Sequence, residues 1–135
     1  MTNRRAGNEL TDARERALHL LYESSIKGVP ATEILAAQLL EPEPLTRLIV
    51  EGVTRDEAKI DEMIADHLVG WTLARLSVID KVVLRIGVFE LLTRNDTPKA
   101  VVMSEAVELA KRFSTAESGR FVNGVLAAVA RSTEG

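Results

Sequence analysis

The chain has 135 residues, of which 46% are hydrophobic but only 4% are aromatic, so the core of one domain must be built from aliphatic side chains, a composition that favours packed helices. The absence of cysteine excludes disulfides, thiolate catalysis and cysteine-ligated zinc, and is typical of a reducing compartment. The net charge of −3 argues against a protein that coats nucleic acid over its whole surface, so any RNA contact must be local.

The chain begins with a polar arm and an amphipathic helix. Residues 1–9 lack apolar periodicity, which predicts a flexible arm ahead of a single helical domain at 10–135. From Thr11, a candidate N-cap, apolar residues recur at helical spacing as far as Lys27, and Gly28 ends the pattern. The first twenty residues hold four arginines and three acids, a balance that attracts phosphate only weakly.

Short helices are predicted in the next part of the chain. The first spans 32–40 and is broken by the prolines of "EPEP" at 41–44. Apolar residues at helical spacing then predict two further helices, around 45–53 and 60–68. No run approaches the roughly 20 apolar residues of a membrane span, and no signal peptide is recognisable, so a cytoplasmic protein without membrane contact is expected.

The most apolar segment runs from Val78 to Leu92. Its valine and isoleucine content would also suit a strand, but its length and its lack of strict alternation favour a helix that is buried on most sides. Arg85 lies within this segment, where a buried guanidinium needs a carboxylate partner. Two interpretations are open: an ion pair with a neighbouring helix, or a contact with a partner protein.

Two helices complete the predicted all-α fold of about seven helices. Thr97 is predicted to cap the first, with Pro98 at its first helical position. The "STAE" sequence at 114–117 has the spacing of a capping box at the start of the second.

The sequence contains no constellation that predicts catalysis or metal binding. His19 and His67 are far apart, and neither belongs to a pair at metal-binding spacing. Glu105 and Glu108 lie one helical turn apart but lack a third ligand, and the glycines near the C-terminus match no phosphate-binding fingerprint. We therefore expect no enzymatic activity, no metal and no cofactor.

Three segments, in their order and separation, resemble the NusB family of transcription antitermination factors: "DARERALHLLYE", "VIDKVVLRIGVFEL" and "AVVMSEAVELAKRFSTAESGRFVNGVL". The resemblance covers about residues 12–131. It implies two small helix bundles packed across each other. It also implies that the protein pairs with the ribosomal protein NusE, that the pair binds boxA RNA of nascent ribosomal RNA transcripts, and that the assembly acts on the RNA polymerase elongation complex.

The resemblance implies an RNA site made of two parts. At the start of the last helix, Glu117, Arg120 and Phe121 match the family. Arg120 can meet a phosphate, whereas Phe121 either stacks on an unpaired base or packs in the core. In the N-terminal part only Arg14 keeps its place, because residues 10–12 are Leu, Thr and Asp where relatives carry consecutive arginines.

The resemblance also concerns the arm and the partner surface. Arg4 and Arg5 lie on the predicted arm, from which they can reach back to RNA. Tyr22, Asp80 and Arg85 are implied at the surface that binds NusE. Some relatives form a dimer that covers the RNA surface, so a homodimer of the free protein is left open.

Two functions are compatible with these features. The first is an RNA-binding antitermination factor that acts together with NusE. The second keeps the fold but lacks RNA binding, as a protein–protein adaptor or self-associating subunit whose weakened arm no longer holds boxA.

Overall fold

A computed structural model describes residues 6–94 and 96–134, with side chains described from residue 9 onward. Within these residues the chain forms seven α-helices and one short 3-10 helix, Leu73–Arg75, without a strand. The α-helices are α1 (Ala6–Lys27), α2 (Ala31–Ala36), α3 (Pro44–Arg55), α4 (Glu57–Asp66), α5 (Val78–Thr93), α6 (Lys99–Phe113) and α7 (Ala116–Ser132). None of these described helices is both long and apolar enough to cross a membrane. The all-α prediction is confirmed.

Helices α1, α2 and α3 form the first of two compact units, which ends at Arg55. In this unit α1 packs against both α2 and α3. The hydroxyl of Thr46 on α3 donates a hydrogen bond of 2.8 Å to the carbonyl of Ala13 on α1. Arg16 on α1 donates to the carbonyl of Leu40 at 2.9 Å, so the loop between α2 and α3 is also tied to α1.

The start of α1 differs from its prediction. The helix begins at Ala6 rather than after Thr11, so residues 6–9 of the expected arm are helical. No proline interrupts this stretch, and Glu9 in the first turn interacts favourably with the positive end of the helix dipole. Residues 1–5, which include the rest of the expected arm, lie outside the described residues.

The second unit, from Asp56 onward, is built around α5. This helix packs against α4, α6 and α7, and nine of its sixteen residues are buried, which confirms the buried helix expected at 78–92. Gly87 allows a close approach to α7, because a Cβ atom at that position would lie 2.7 Å from Cδ1 of Leu126.

The caps of the last helices lie one residue later than predicted. Pro98 has an extended backbone, with a ψ of 140° typical of polyproline geometry, so α6 begins only at Lys99 and Pro98 replaces Thr97 as N-cap. At α7, the hydroxyl of Thr115 accepts a hydrogen bond of 3.0 Å from the backbone N–H of Ser118. The cap is therefore Thr115, whereas the capping-box spacing of "STAE" had indicated residue 114.

Candidate functional site

Arg85 on α5 is held by two acids of α4. Its Nε and Nη2 atoms donate to the two carboxylate oxygens of Asp61 at 2.8 and 2.9 Å, and Nη1 lies 3.5 Å from Glu57. Burial lowers the pKa of Arg85, but the hydrogen bonds and charge of Asp61, with the charge of Glu57, outweigh burial and raise this pKa above its ordinary value. The structure thus confirms the intrachain ion pair, which was one of the two interpretations of Arg85.

The first turns of α5 and α7 are joined by a side-chain hydrogen bond. Oγ of Ser118 on α7 donates to Oδ2 of Asp80 on α5 at 3.0 Å. Ser77 caps α5 by accepting from the backbone N–H of Asp80 at 3.1 Å. Oδ1 of Asp80 is buried and has no hydrogen-bond partner within the described part of the chain. Asp80 therefore helps to fix the turn of α7 that carries the expected RNA-binding residues.

A groove lies at these two first turns and is bordered by the short 3-10 helix. The side chains important for its chemistry are Trp71, Arg75, Asp80, Glu117, Ser118 and Phe121. Three of them, Asp80, Glu117 and Phe121, were expected from the sequence to contact a partner or RNA. The groove thus brings together residues that the sequence had assigned to two different surfaces.

Arg120 and Phe121 are both accessible at the start of α7. Arg120 is exposed, Phe121 is half-buried, and the two line a shallow depression together with Glu117. The ring of Phe121 therefore packs in part against the protein and leaves part of its surface open. An exposed guanidinium beside an open aromatic ring can contact a phosphate and a stacked base at the same time.

The N-terminal part of the expected RNA site is different. Arg14 is only 2% exposed, because it shares a helix face with Ala17 and Leu18, which lie three and four residues further on and are fully buried. A cation must be accessible to neutralise a phosphate, and Arg14 is buried here, so its contact with RNA stays a prediction. Arg4 and Arg5 lie outside the described residues.

The expected partner residues are placed separately. Tyr22 on α1 is 37% exposed, and its ring is open to a partner. Asp80 is half-buried at the groove, and Arg85 is largely occupied by its ion pair with Asp61.

Trp71 and Arg75 line the groove but were not predicted from the sequence. Trp71 is 56% exposed and follows Gly70, which has a positive φ of 78° and ends the segment after α4. The signal available in the sequence was a lone tryptophan in a loop, outside every predicted helix face. In the described residues no cluster of His, Cys, Asp or Glu could hold a metal ion.

Comparisons with known proteins agree with the resemblance of the three segments. The NusB family model matches residues 11–131. The transcription antitermination protein NusB of Saccharopolyspora erythraea is 46% identical over 124 residues, which cover 87% of this chain and 84% of the relative.

Solved structures are similar over nearly the whole chain. T. maritima NusB has a TM-score of 0.79 and 33% identity, with coverage of 90% of this chain and 89% of the other. A crystal structure of the antitermination factors NusB and NusE in complex with dsRNA has a TM-score of 0.75 and 26% identity, with coverage of 90% and 96%. The fold, the family model and the relatives agree that the chain belongs to the NusB family of transcription antitermination proteins.

Proposed function

We propose that the protein binds boxA RNA of nascent ribosomal RNA transcripts together with the ribosomal protein NusE, and that this assembly acts on the RNA polymerase elongation complex. The observation that carries the proposal is the groove at the first turns of α5 and α7, where accessible aromatic rings lie beside exposed arginines. A similar crystal structure that contains NusB, NusE and dsRNA supports it.

The aromatic side chains supply the contacts to bases. Stacking of an unpaired base on an aromatic ring contributes about 1–3 kcal/mol, and the open parts of Trp71 and Phe121 are suited to this contact. Arg75 and Arg120 are exposed and can pair with the phosphates that flank the stacked bases. This arrangement suits single-stranded RNA, whose bases are free to leave the stack.

The acids of the groove have a different part in RNA binding. The carboxylates of Asp80 and Glu117 repel phosphates, but they accept hydrogen bonds from the amino groups of bases. The first turn of α7 also presents the positive end of the helix dipole. We therefore assign base contacts to the interior of the groove and phosphate contacts to the arginines at its border.

NusE contacts are assigned separately to Tyr22 on the first unit and to Asp80 on the second. Tyr22 offers an open aromatic ring, and the half-buried carboxylate of Asp80 can pair with a cation of the partner. Arg85 supports the contact at Asp80 indirectly, because its hydrogen bonds to Asp61 join α5 to α4.

RNA affinity depends on the complex with NusE in this proposal. The chain has a net charge of −3, Arg14 is buried, and the residues just before it include no further arginine of the family pattern. The described N-terminal part of the expected RNA site therefore offers no accessible arginine for phosphate, and NusE supplies further cations in this proposal. We expect Arg4 and Arg5, which lie outside the described residues, to contribute less than Arg120.

A titration of boxA RNA with the NusE complex across a salt series tests the proposal. Arg120→Ala is expected to weaken binding and to reduce the slope of log affinity against log salt by about one. Arg131→Ala, which removes an exposed arginine from the last turn of the same helix, is the matched control and should leave the slope unchanged. Equal slopes for wild type and Arg120→Ala would contradict the assigned site.

The burial of Arg14 and the loss of arginines at residues 10–12 favour one alternative, an adaptor that binds NusE without RNA. In that case the complex with NusE would form with the purified protein, but boxA RNA would not bind to it even at low salt. Salt-dependent RNA binding by the complex would exclude the adaptor.

A further inference from the structure

A second groove lies between α6 and α7 and shares Arg120 with the depression at Phe121. Its polar side chains are Ser104 and Lys111 on α6, and Arg120 and Asn123 on α7. We refer to it as the α6–α7 groove. Among the described residues that line it there is no carboxylate and no aromatic ring, so it is locally positive on a chain whose net charge is −3.

The position of Lys111 depends on a glycine of α7. A Cβ atom at Gly119 would lie 2.6 Å from Cγ and 3.0 Å from Cδ of Lys111. Because glycine has no side chain, the aliphatic stem of Lys111 can lie against α7, and the Lys111 side chain as a whole is 55% exposed. Glycine is therefore the residue that lets Lys111 line the groove.

The ammonium group of Lys111 forms only a weak ion pair within the chain. Glu108, one turn earlier on α6, lies 3.9 Å away, and both side chains are more than half exposed. Exposed pairs of this kind are screened by water and salt. A phosphate that approaches Lys111 and Arg120 together can therefore displace this pairing.

We propose that the α6–α7 groove is a second RNA contact, which binds the sugar-phosphate backbone of nucleotides adjacent to those at Phe121. The inference rests on the proposed RNA binding and extends it. Lys111 and Arg120 neutralise phosphates, and Ser104 and Asn123 donate hydrogen bonds to phosphate or ribose oxygens. Because no aromatic side chain lines the described groove, this contact is independent of base sequence.

The shared residue favours RNA over an acidic protein segment as the occupant. A strand bound at Phe121 has phosphates on both sides of the stacked base, and Arg120 lines both the depression at Phe121 and the α6–α7 groove. An RNA strand whose phosphate is bound by Arg120 can therefore continue from the depression at Phe121 into the α6–α7 groove. An acidic segment of a partner protein has no such connection to the first site.

The test uses the complex with NusE and two RNAs, a minimal boxA element and the same element extended by a few unpaired nucleotides at either end. Wild type should bind an extended RNA more tightly than the minimal one. Lys111→Ala should abolish this gain, lower the salt slope for the extended RNA by about one and leave the minimal RNA unaffected. Lys59→Ala, which removes an exposed lysine of α4 that lines neither groove, is the control of equal charge.

Gly119→Ala provides a second variant with no change of charge. The added methyl group should push the stem of Lys111 out of the groove and remove the gain in the same way. Circular dichroism and thermal melting establish that both variants are folded before RNA is added.

Equal affinity of the wild-type complex for the two RNA lengths would overturn the second contact while leaving the proposed function intact. An undiminished gain in the folded Lys111→Ala variant would overturn it as well. Weaker binding of NusE by Lys111→Ala, with RNA binding unchanged, would assign the groove to a protein segment instead. Failure of both RNAs to bind the wild-type complex would overturn the proposed function and this inference together.

Discussion

Among single residues, Asp80 matters most, because it is an expected NusE contact and is also bonded to the turn of α7 that carries the expected RNA-binding residues. One carboxylate oxygen accepts from Ser118, and the other is buried without a partner among the described residues. A substitution at Asp80 thus changes both the charge at the proposed NusE contact and the anchoring of α7. The two effects are separable, because Ser118 takes part only in the second.

We predict that Ser118→Ala lowers the free energy of unfolding by about 1.5–3 kcal/mol, because a hydrogen bond to a carboxylate is lost. RNA binding should weaken while NusE binding stays close to wild type. Asp80→Lys should weaken NusE binding in addition, because the charge that faces the partner is reversed. Calorimetry of both variants with NusE tests this pair, and equal NusE affinities in folded proteins would contradict a partner contact at Asp80.

We predict that Arg85→Ala destabilises the protein by about 2 kcal/mol, because it breaks a bidentate ion pair and leaves Asp61 without its main partner. The double variant Arg85→Met with Asp61→Leu should lose less stability, because it keeps much of the aliphatic packing and leaves neither charge of the pair behind. Urea unfolding measures both effects. A folded Arg85→Ala variant that retains its stability but loses NusE would instead support the partner contact.

The ion pair of Arg85 was predictable from the sequence, because a charged residue inside an apolar helix requires a counter-charge. The burial of Arg14 was missed, although its helical spacing from Ala17 and Leu18 placed it on a buried face. Family resemblance had given that position a surface role. The bond from Ser118 to Asp80 joins residues far apart in sequence, so no local pattern could predict it.

Among the secondary-structure elements, α5 is the helix against which the other α-helices of the second unit pack. Its apolar residues occur on several faces because α4, α6 and α7 all pack against it. The continuous apolar run made this helix predictable. The N-caps were less predictable, because each was misplaced by a single residue. The extended backbone of Pro98 sets the start of α6, and the hydrogen bond from the Ser118 N–H to Thr115 sets the start of α7.

We predict that Ile86→Ala lowers the free energy of unfolding by about 2–5 kcal/mol, because Ile86 is 1% exposed and its truncation leaves a cavity. Val101→Ala, which shortens an exposed side chain on α6, is the control and should change stability little. Chemical denaturation of the two variants gives the comparison. A loss of less than about 0.5 kcal/mol for Ile86→Ala would show that α5 is peripheral.

The whole molecule is an acidic protein with locally positive surfaces. Because the net charge is −3, the proposed RNA binding at the groove near Phe121 and at the α6–α7 groove relies on individual exposed cations. The family and the helical fold were predictable from three sequence segments and their spacing. The groove itself was not, because Trp71 and Arg75 join Phe121 only through the tertiary structure.

The central claim is that RNA bases occupy the groove beside Trp71 and Phe121, and the emission of Trp71 tests it most directly. Trp71 is the only tryptophan of the chain, and a NusE complex that carries Trp71→Phe supplies the blank. We predict that boxA RNA quenches Trp71 emission in the complex and that Arg120→Ala shifts the quenching to higher RNA concentrations. RNA binding that is detected by anisotropy of a labelled RNA, with unchanged Trp71 emission, would contradict the claim.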